Sequence, residues 1–256
     1  MIDLLLDDPL YFLELSLYRI PAVLIALVLH EWAHGYVAYR LGDPTAKLMK
    51  RLSLNPLRHL DPVGAVLMFL FGFGWAKPVP IDPRFFKKKH RDDLLVSIAG
   101  ITMNLLLFLL FTFAMVGINS LLWEPDVYRY NSLQDMLGFR RGAVNAILSG
   151  LGMEYYSDRI LRPELLWAVR LTSQIAMVNL YIAIFNLLPV PPLDGSHLAN
   201  DLIFKGKLFV SPNVARIGMA GLMILSFTGV LGTVMSFLAN GLQGGVLYLI
   251  ALVVGG

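Results

Sequence analysis

Arg19–Tyr39, Leu94–Ile118 and Leu165–Leu188 are apolar runs of about 20 residues or more, and Pro212–Val253 is long enough for two further runs. At 1.5 Å rise per residue, about 20 helical residues cross the hydrocarbon of a bilayer. There every backbone group must be paired within the chain, which leaves helices as the spanning elements for such runs. Composition agrees: of 256 residues 57% are hydrophobic and 15% charged, against roughly 25% charged in soluble domains. The mean hydropathy is +0.65. The expected fold class is an all-α polytopic membrane protein of about five to six transmembrane helices, with a small β or re-entrant element at the cytoplasmic rim.

Charge suggests an orientation. Asp3, Asp7, Asp8 and Glu14 precede the first run, whereas Lys47, Lys50, Arg51, Arg58, Lys77, Arg84, Lys87, Lys88, Lys89 and Arg91 follow it. By the positive-inside rule the first helix ends in the cytoplasm. The acidic N-terminal stretch lacks the basic front of a secretory signal and reads as a short interfacial or partly inserted helix before an uncleaved span at 19–40. Val63–Trp75 is apolar but short and has basic groups on both sides, so a re-entrant segment is favoured over a crossing. The spans are then 19–40, 93–118, 165–188 and a pair within 212–253, interrupted at Gly229 and Gly232. Residues 41–92 form a cytoplasmic-side loop. Residues 119–164, with an amphipathic stretch at Ser132–Leu151, read as an external insertion. The chain contains no cysteine, which excludes disulfide and thiolate chemistry. The net charge of +3, with basic groups flanking membrane runs, fits a lipid surface and gives no nucleic-acid signature.

The first span contains His30-Glu31-Trp32-Ala33-His34. Ionisable groups inside an apolar helix are costly and need partners. On a helix His30 and His34 share a face and can reach one ion. Zinc accepts neutral imidazoles and tolerates an open position, and the intervening Glu31 is placed to act as general base. With five His and five Glu in the chain, this pattern arises by chance roughly 0.002 times per shuffled sequence. A third ligand must come from elsewhere. His59, His90, His197, Asp43, Asp61, Asp194 and Asp201 are available. Asp194 stands out and His197 is its rival. Both follow a span broken by Pro189, Pro191 and Pro192, and such irregular backbone is tolerated at membrane depth where it lines a cavity. The first and third spans run parallel if 63–75 does not cross, which brings both ligand regions to the cytoplasmic side.

"HEWAHG" with "NLLPVPPLDG" resembles the site-2 protease family of intramembrane zinc metallopeptidases, in particular small prokaryotic members without a PDZ or CBS domain. "RLGDPTAKLMKRLSLNPLRHLDPVG", "GWAKPVPIDPRFF" and "AGITMN" extend the resemblance over about Val28–Leu202, outside most of 119–164. The resemblance implies a single metalloprotease domain over 1–256. It implies zinc held by His30, His34 and Asp194, Glu31 as base and Asn186 beside the site. It also implies transmembrane protein substrates, cut in regulated intramembrane proteolysis near the cytoplasmic face of the cell membrane. A metal transporter and a non-catalytic scaffold are the alternatives. Buried Asn104 suits either a hydrogen bond to an oxyanion or one between helices. Asn179 and Asn186 share a helix face and could line a polar cavity beside Asp194. Gly100 suits close helix packing. Thr45–Leu54 and the extended "AKPVPIDP" could pair at the rim and offer an edge strand to an unwound substrate, or clamp the membrane surface with Trp75 and Lys87–Arg91. His59 and Asp61 would order this loop.

Overall fold

The computed structural model describes residues 2–64, 66, 76–124, 157–204 and 211–254. Eight α-helices are described there: α1 (Ile2–Asp7), α2 (Pro9–Arg40), α3 (Thr45–Leu48), α4 (Lys89–Leu122), α5 (Leu166–Asn186), α6 (Asp194–Leu202), α7 (Pro212–Phe227) and α8 (Val230–Val254). The segments Pro9–Arg40, Lys89–Leu122, Pro163–Asn186 and Val230–Val253 make four helices long and apolar enough to cross a membrane. α7, at 16 residues, is apolar but shorter. Of the five or six spans expected, the described residues hold four and one short apolar helix. Gly229, at φ 76°, breaks the last pair into unequal parts. Most of Val63–Trp75 and of 119–164, with all of Ser132–Leu151, lies outside the described residues.

The N-terminal expectation is corrected. α2 begins at Pro9, not near Arg19, and runs unbroken into the histidine motif. Asp8 caps it by accepting Tyr11 N–H at 3.0 Å, and Pro9 occupies the first turn, where no donor is needed. Glu14, which argued for a surface segment, is paired with Arg170 of α5.

α2, α4 and α5 pack mutually. The α2 contact face is built of small residues: Ala22, Ala26, Ala33 and Ala38 are all buried. Small side chains let helix axes approach closely, as membrane bundles require. Around α4 the usual polarity is inverted. Asn104, Thr112 and Asn119 are buried, while Leu106, Leu110 and Phe113 are more than half exposed. An exposed apolar face around a polar interior is suited to lipid and costly in water. Phe108, Ala176, Leu180 and Ile184 continue the core and meet Met235 and Ala239 of α8.

The expected rim sheet is not present among the described residues, which show only isolated bridges, Leu60 with Ala76 and Trp123 with Ile160. Part of the proposed strand is helical instead: Asp43 Oδ1 accepts Thr45 N–H at 2.9 Å and starts α3. Asp43 is fully buried, and its Oδ2 accepts Asp82 N–H at 2.7 Å. This carboxylate ties the end of α2 to the start of the Pro83–Phe85 turn.

Candidate metal centre

His30 and His34 lie one turn apart on the buried face of α2, and their Nε2 atoms are 3.0 Å apart. Each ring is oriented from behind. His30 Nδ1 is 2.6 Å from Asn104 Oδ1, and His34 Nδ1 is 2.7 Å from the carbonyl oxygen of Val96. Both partners are acceptors, so each imidazole carries its proton on Nδ1. The two Nε2 atoms are thereby turned toward each other, on the side of the rings away from these bonds. Asp194 Oδ2 completes the triangle at 3.3 Å from His30 Nε2 and 3.2 Å from His34 Nε2. That oxygen is buried and has no hydrogen-bond partner.

Two imidazole nitrogens and a carboxylate oxygen that converge at this spacing suit a shared cation. Tetrahedral zinc with ligand bonds of about 2.0–2.1 Å separates its ligand atoms by about 3.3 Å, close to the three observed edges. His30, His34 and Asp194 form the one His/Cys/Asp/Glu group among the described residues whose donors converge closely enough to hold a metal ion. The residues present fit a zinc ion.

Local sequence explains the convergence. Gly100 of α4 lies against the two rings: a Cβ there would overlap His34 Nε2 and His30 Cε1. Asp194 is the first residue of α6, delivered by the turn 187–193 in which Leu188 N–H bonds Phe185 O at 3.1 Å and Leu193 N–H bonds Val190 O at 2.9 Å. The Pro191–Pro192 peptide is cis. Gly195 permits the turn to fold back, since a Cβ there would strike the Leu187 carbonyl.

Asn104 is fully buried behind His30, where it makes bonds between helices. Its Nδ2 donates to Ala26 O at 3.2 Å and to Asn179 Oδ1 at 2.8 Å. Asn179 in turn donates to Ile175 O at 2.8 Å and serves as backing for Asn104. Asn186 is half-buried, donates to Ile182 O at 3.0 Å within its own helix and has no hydrogen bond to the triad.

His197 does not join the metal cluster. It lies 3.4 Å from Asp93 Oδ2, and this contact, together with the nearby Asp194 and Asp201, holds the imidazole above its ordinary pKa against desolvation. His90 pairs with Asp201 at 3.4 Å, so α4 and α6 are joined by two reciprocal His–Asp contacts. His59 is buried in the rim loop, its Nε2 on Ser53 O at 2.7 Å, while Asp61 accepts Gly64 N–H at 2.9 Å.

Glu31 is half-buried. Its Oε2 accepts the Val79 backbone N–H at 2.7 Å. The sequence offered no local signal for this partner, 48 residues away. A hint lies in Pro78-Val79-Pro80: with a proline on either side, Val79 carries the one N–H of the three.

A bundle of apolar helices that holds two histidines and an aspartate around a cation-sized gap defines a membrane-embedded metal-site protein. The chain belongs to peptidase family M50, whose sequence profile matches residues 18–227, and is therefore a peptidase integral to a membrane. It is 38% identical over 202 residues to YwhC of Bacillus subtilis (strain 168), whose name describes a zinc metalloprotease; the match covers 78% of this chain and 76% of that protein. It is 27% identical over 230 residues to Rip2 of Mycobacterium tuberculosis (strain Erdman), also named for a zinc metalloprotease, covering 81% of this chain and 72% of the relative. No solved structure matches the chain.

Proposed function

We propose that this peptidase is a zinc metalloprotease that hydrolyses peptide bonds of transmembrane proteins within the bilayer. His30, His34 and Asp194 would hold the ion. The carrying observation is the triangle of Nε2, Nε2 and Oδ2 atoms, 3.0, 3.2 and 3.3 Å on its edges, whose two rings carry their protons on the far side. When bound, zinc supplies Lewis acidity toward a peptide carbonyl and an attacking water.

The chain's own residues supply the rest. Glu31 takes the proton of the attacking water and delivers it to the leaving amine. Its place next to His30 in sequence, on an adjoining face of α2, suits a base near the ion that is not itself a ligand. Asn104 and the Val96 carbonyl fix the ring planes, which keeps the ligands ready before substrate arrives. The bundle restricts water around the reacting bond, and the broken backbone at 187–193 lines the approach to Asp194. Asn186, at the end of α5, remains available as a substrate-facing amide. The basic excess between Lys47 and Arg91 supports a cytoplasmic position for this end of the bundle in the cell membrane.

Glu31→Gln in nanodiscs should retain zinc and lose cleavage of a co-reconstituted single-span reporter that the wild-type chain cuts. Cleavage by purified Glu31→Gln at the wild-type rate would overturn the mechanism.

A further inference from the structure

Residues 77–82 form an extended strap over the end of α2, and almost every polar backbone group along its first half is taken by this chain. Lys77 N–H donates to His59 O at 2.8 Å. Arg51 Nη2 donates to Lys77 O at 2.9 Å and to Pro78 O at 3.1 Å. Val79 N–H goes to Glu31 at 2.7 Å, and Asp82 N–H to buried Asp43 at 2.7 Å. The Val79 side chain is buried against Gly35, where a Cβ would sit 3.0 Å from Val79 Cγ1. The groups that an added substrate strand would need at 77–79 are thus already engaged, and one of them holds the carboxylate assigned above as the base.

We propose that the Val79 amide is a positioning group for Glu31: it pins Oε2, leaves Oε1 as the working oxygen, and keeps the flexible side chain from swinging onto the ion as a competing ligand. This rests on the reading of Glu31 as general base. A glutamate has three side-chain torsions to restrain, and one short hydrogen bond to a charged oxygen is among the strongest single restraints available. The donor is itself rigid. Pro78 and Pro80 fix the backbone on either side, Arg51 holds two carbonyls and Asp43 holds the far end. The P-V-P sequence places one donor there and removes its neighbours, so the carboxylate has a single address on the strap.

The test compares Val79→Pro, which deletes the N–H, with Val79→Ala, which keeps it and trims the side chain. Full-length protein in nanodiscs is assayed on the single-span reporter for kcat, KM and zinc content. Val79→Pro is expected to lose kcat by about tenfold or more, the scale for a hydrogen bond to a charged group in a reacting geometry. KM should stay within about twofold and zinc at the wild-type level, and Val79→Ala should stay within about threefold of wild type in kcat. A merely structural role would lower zinc content or raise KM along with kcat. Wild-type kcat in Val79→Pro overturns the proposal, as does an equal loss in Val79→Ala, which would assign the effect to side-chain packing. Should Val79→Pro not fold, an amide-to-ester replacement at Val79 by nonsense suppression removes the same proton at nearly constant shape, and its kcat decides in the same way. Glu31→Gln separates the two levels: an active Glu31→Gln defeats the base assignment, whereas an inactive one beside a normal Val79→Pro defeats the positioning role alone.

Discussion

Gly100→Ala puts one methyl group where the rings of His30 and His34, the proposed zinc ligands, meet α4. The added Cβ would lie 2.5 Å from His30 Cε1 and 2.7 Å from His34 Cε1, where ordinary contact begins at 3.4 Å. With His34 Nε2 nearer still at 2.4 Å, one side must give by about 1 Å. The rings cannot simply rotate away, because His30 is tied to Asn104 and His34 to the Val96 carbonyl. Displacement of this size exceeds the roughly 0.5 Å tolerance of a functional constellation. Disturbing the groups that orient metal ligands typically costs 10–100-fold in affinity, about 1.4–2.7 kcal/mol. The helix itself gains, since Ala is favoured over Gly by about 1 kcal/mol. Overpacking costs about 1–3 kcal/mol, so the metal-free fold should lose no more than about 2 kcal/mol net. The prediction is thus a split: the metal-free protein still unfolds cooperatively in detergent, its midpoint lowered by no more than about 8 °C, while zinc affinity in a chelator-buffered titration is weakened 10–100-fold and cleavage is reduced at limiting zinc. Wild-type zinc affinity in a folded Gly100→Ala protein would refute the packing argument.

Further outcomes follow from the same geometry. Asp43→Ala removes the acceptor of the Thr45 and Asp82 amides and should destabilise the rim by about 3 kcal/mol, read as earlier urea unfolding and faster proteolysis near residue 82. Asn104→Ala should weaken zinc binding, because His30 loses its acceptor, whereas Asn186→Ala should leave zinc content unchanged and act, if at all, on kcat. Equal zinc loss in both would contradict the placement. The raised His197 pKa makes the α4–α6 contact pH-dependent. A folded pKa above the unfolded one contributes stability that is complete below the ordinary histidine range and lost as pH rises through the folded value. Hydrogen-exchange protection across 194–202, corrected for the intrinsic base-catalysed rise, should fall with pH over that interval, in the presence of His90, Asp93 and Asp201, and Asp93→Asn should flatten that fall.

The convergence of His30, His34 and Asp194 was largely legible in the sequence because its signals are written locally. Two histidines at i and i+4 define a face, and a proline-broken span marks where irregular backbone meets a cavity. Asn104 was legible as a buried amide but not in its role, since an interhelical bond and an oxyanion contact make the same demand on residue type. The start of α2 was obscured by acidic residues whose cost is offset elsewhere: Glu14 reads as surface until Arg170 is seen beside it. The break in the last pair was visible at Gly229, but hydropathy averages across it and does not show that the first member stops at 16 residues, where a positive φ ends α7. The Val79–Glu31 contact joins positions 48 residues apart through a backbone donor. Backbone donors have no side-chain identity for a pattern to display, so only folding the rim onto α2 exposes it.

α4 holds none of the three residues proposed as ligands, yet it carries the amide behind one imidazole, the carbonyl behind the other and the glycine that makes room for both. Anyone grafting this centre into a designed bundle would therefore have to import a third helix along with the two that bear ligands. A scaffold given only His30, His34 and Asp194 would have the right atoms on loose hinges, and would hold whichever metal its own rotamers happened to suit.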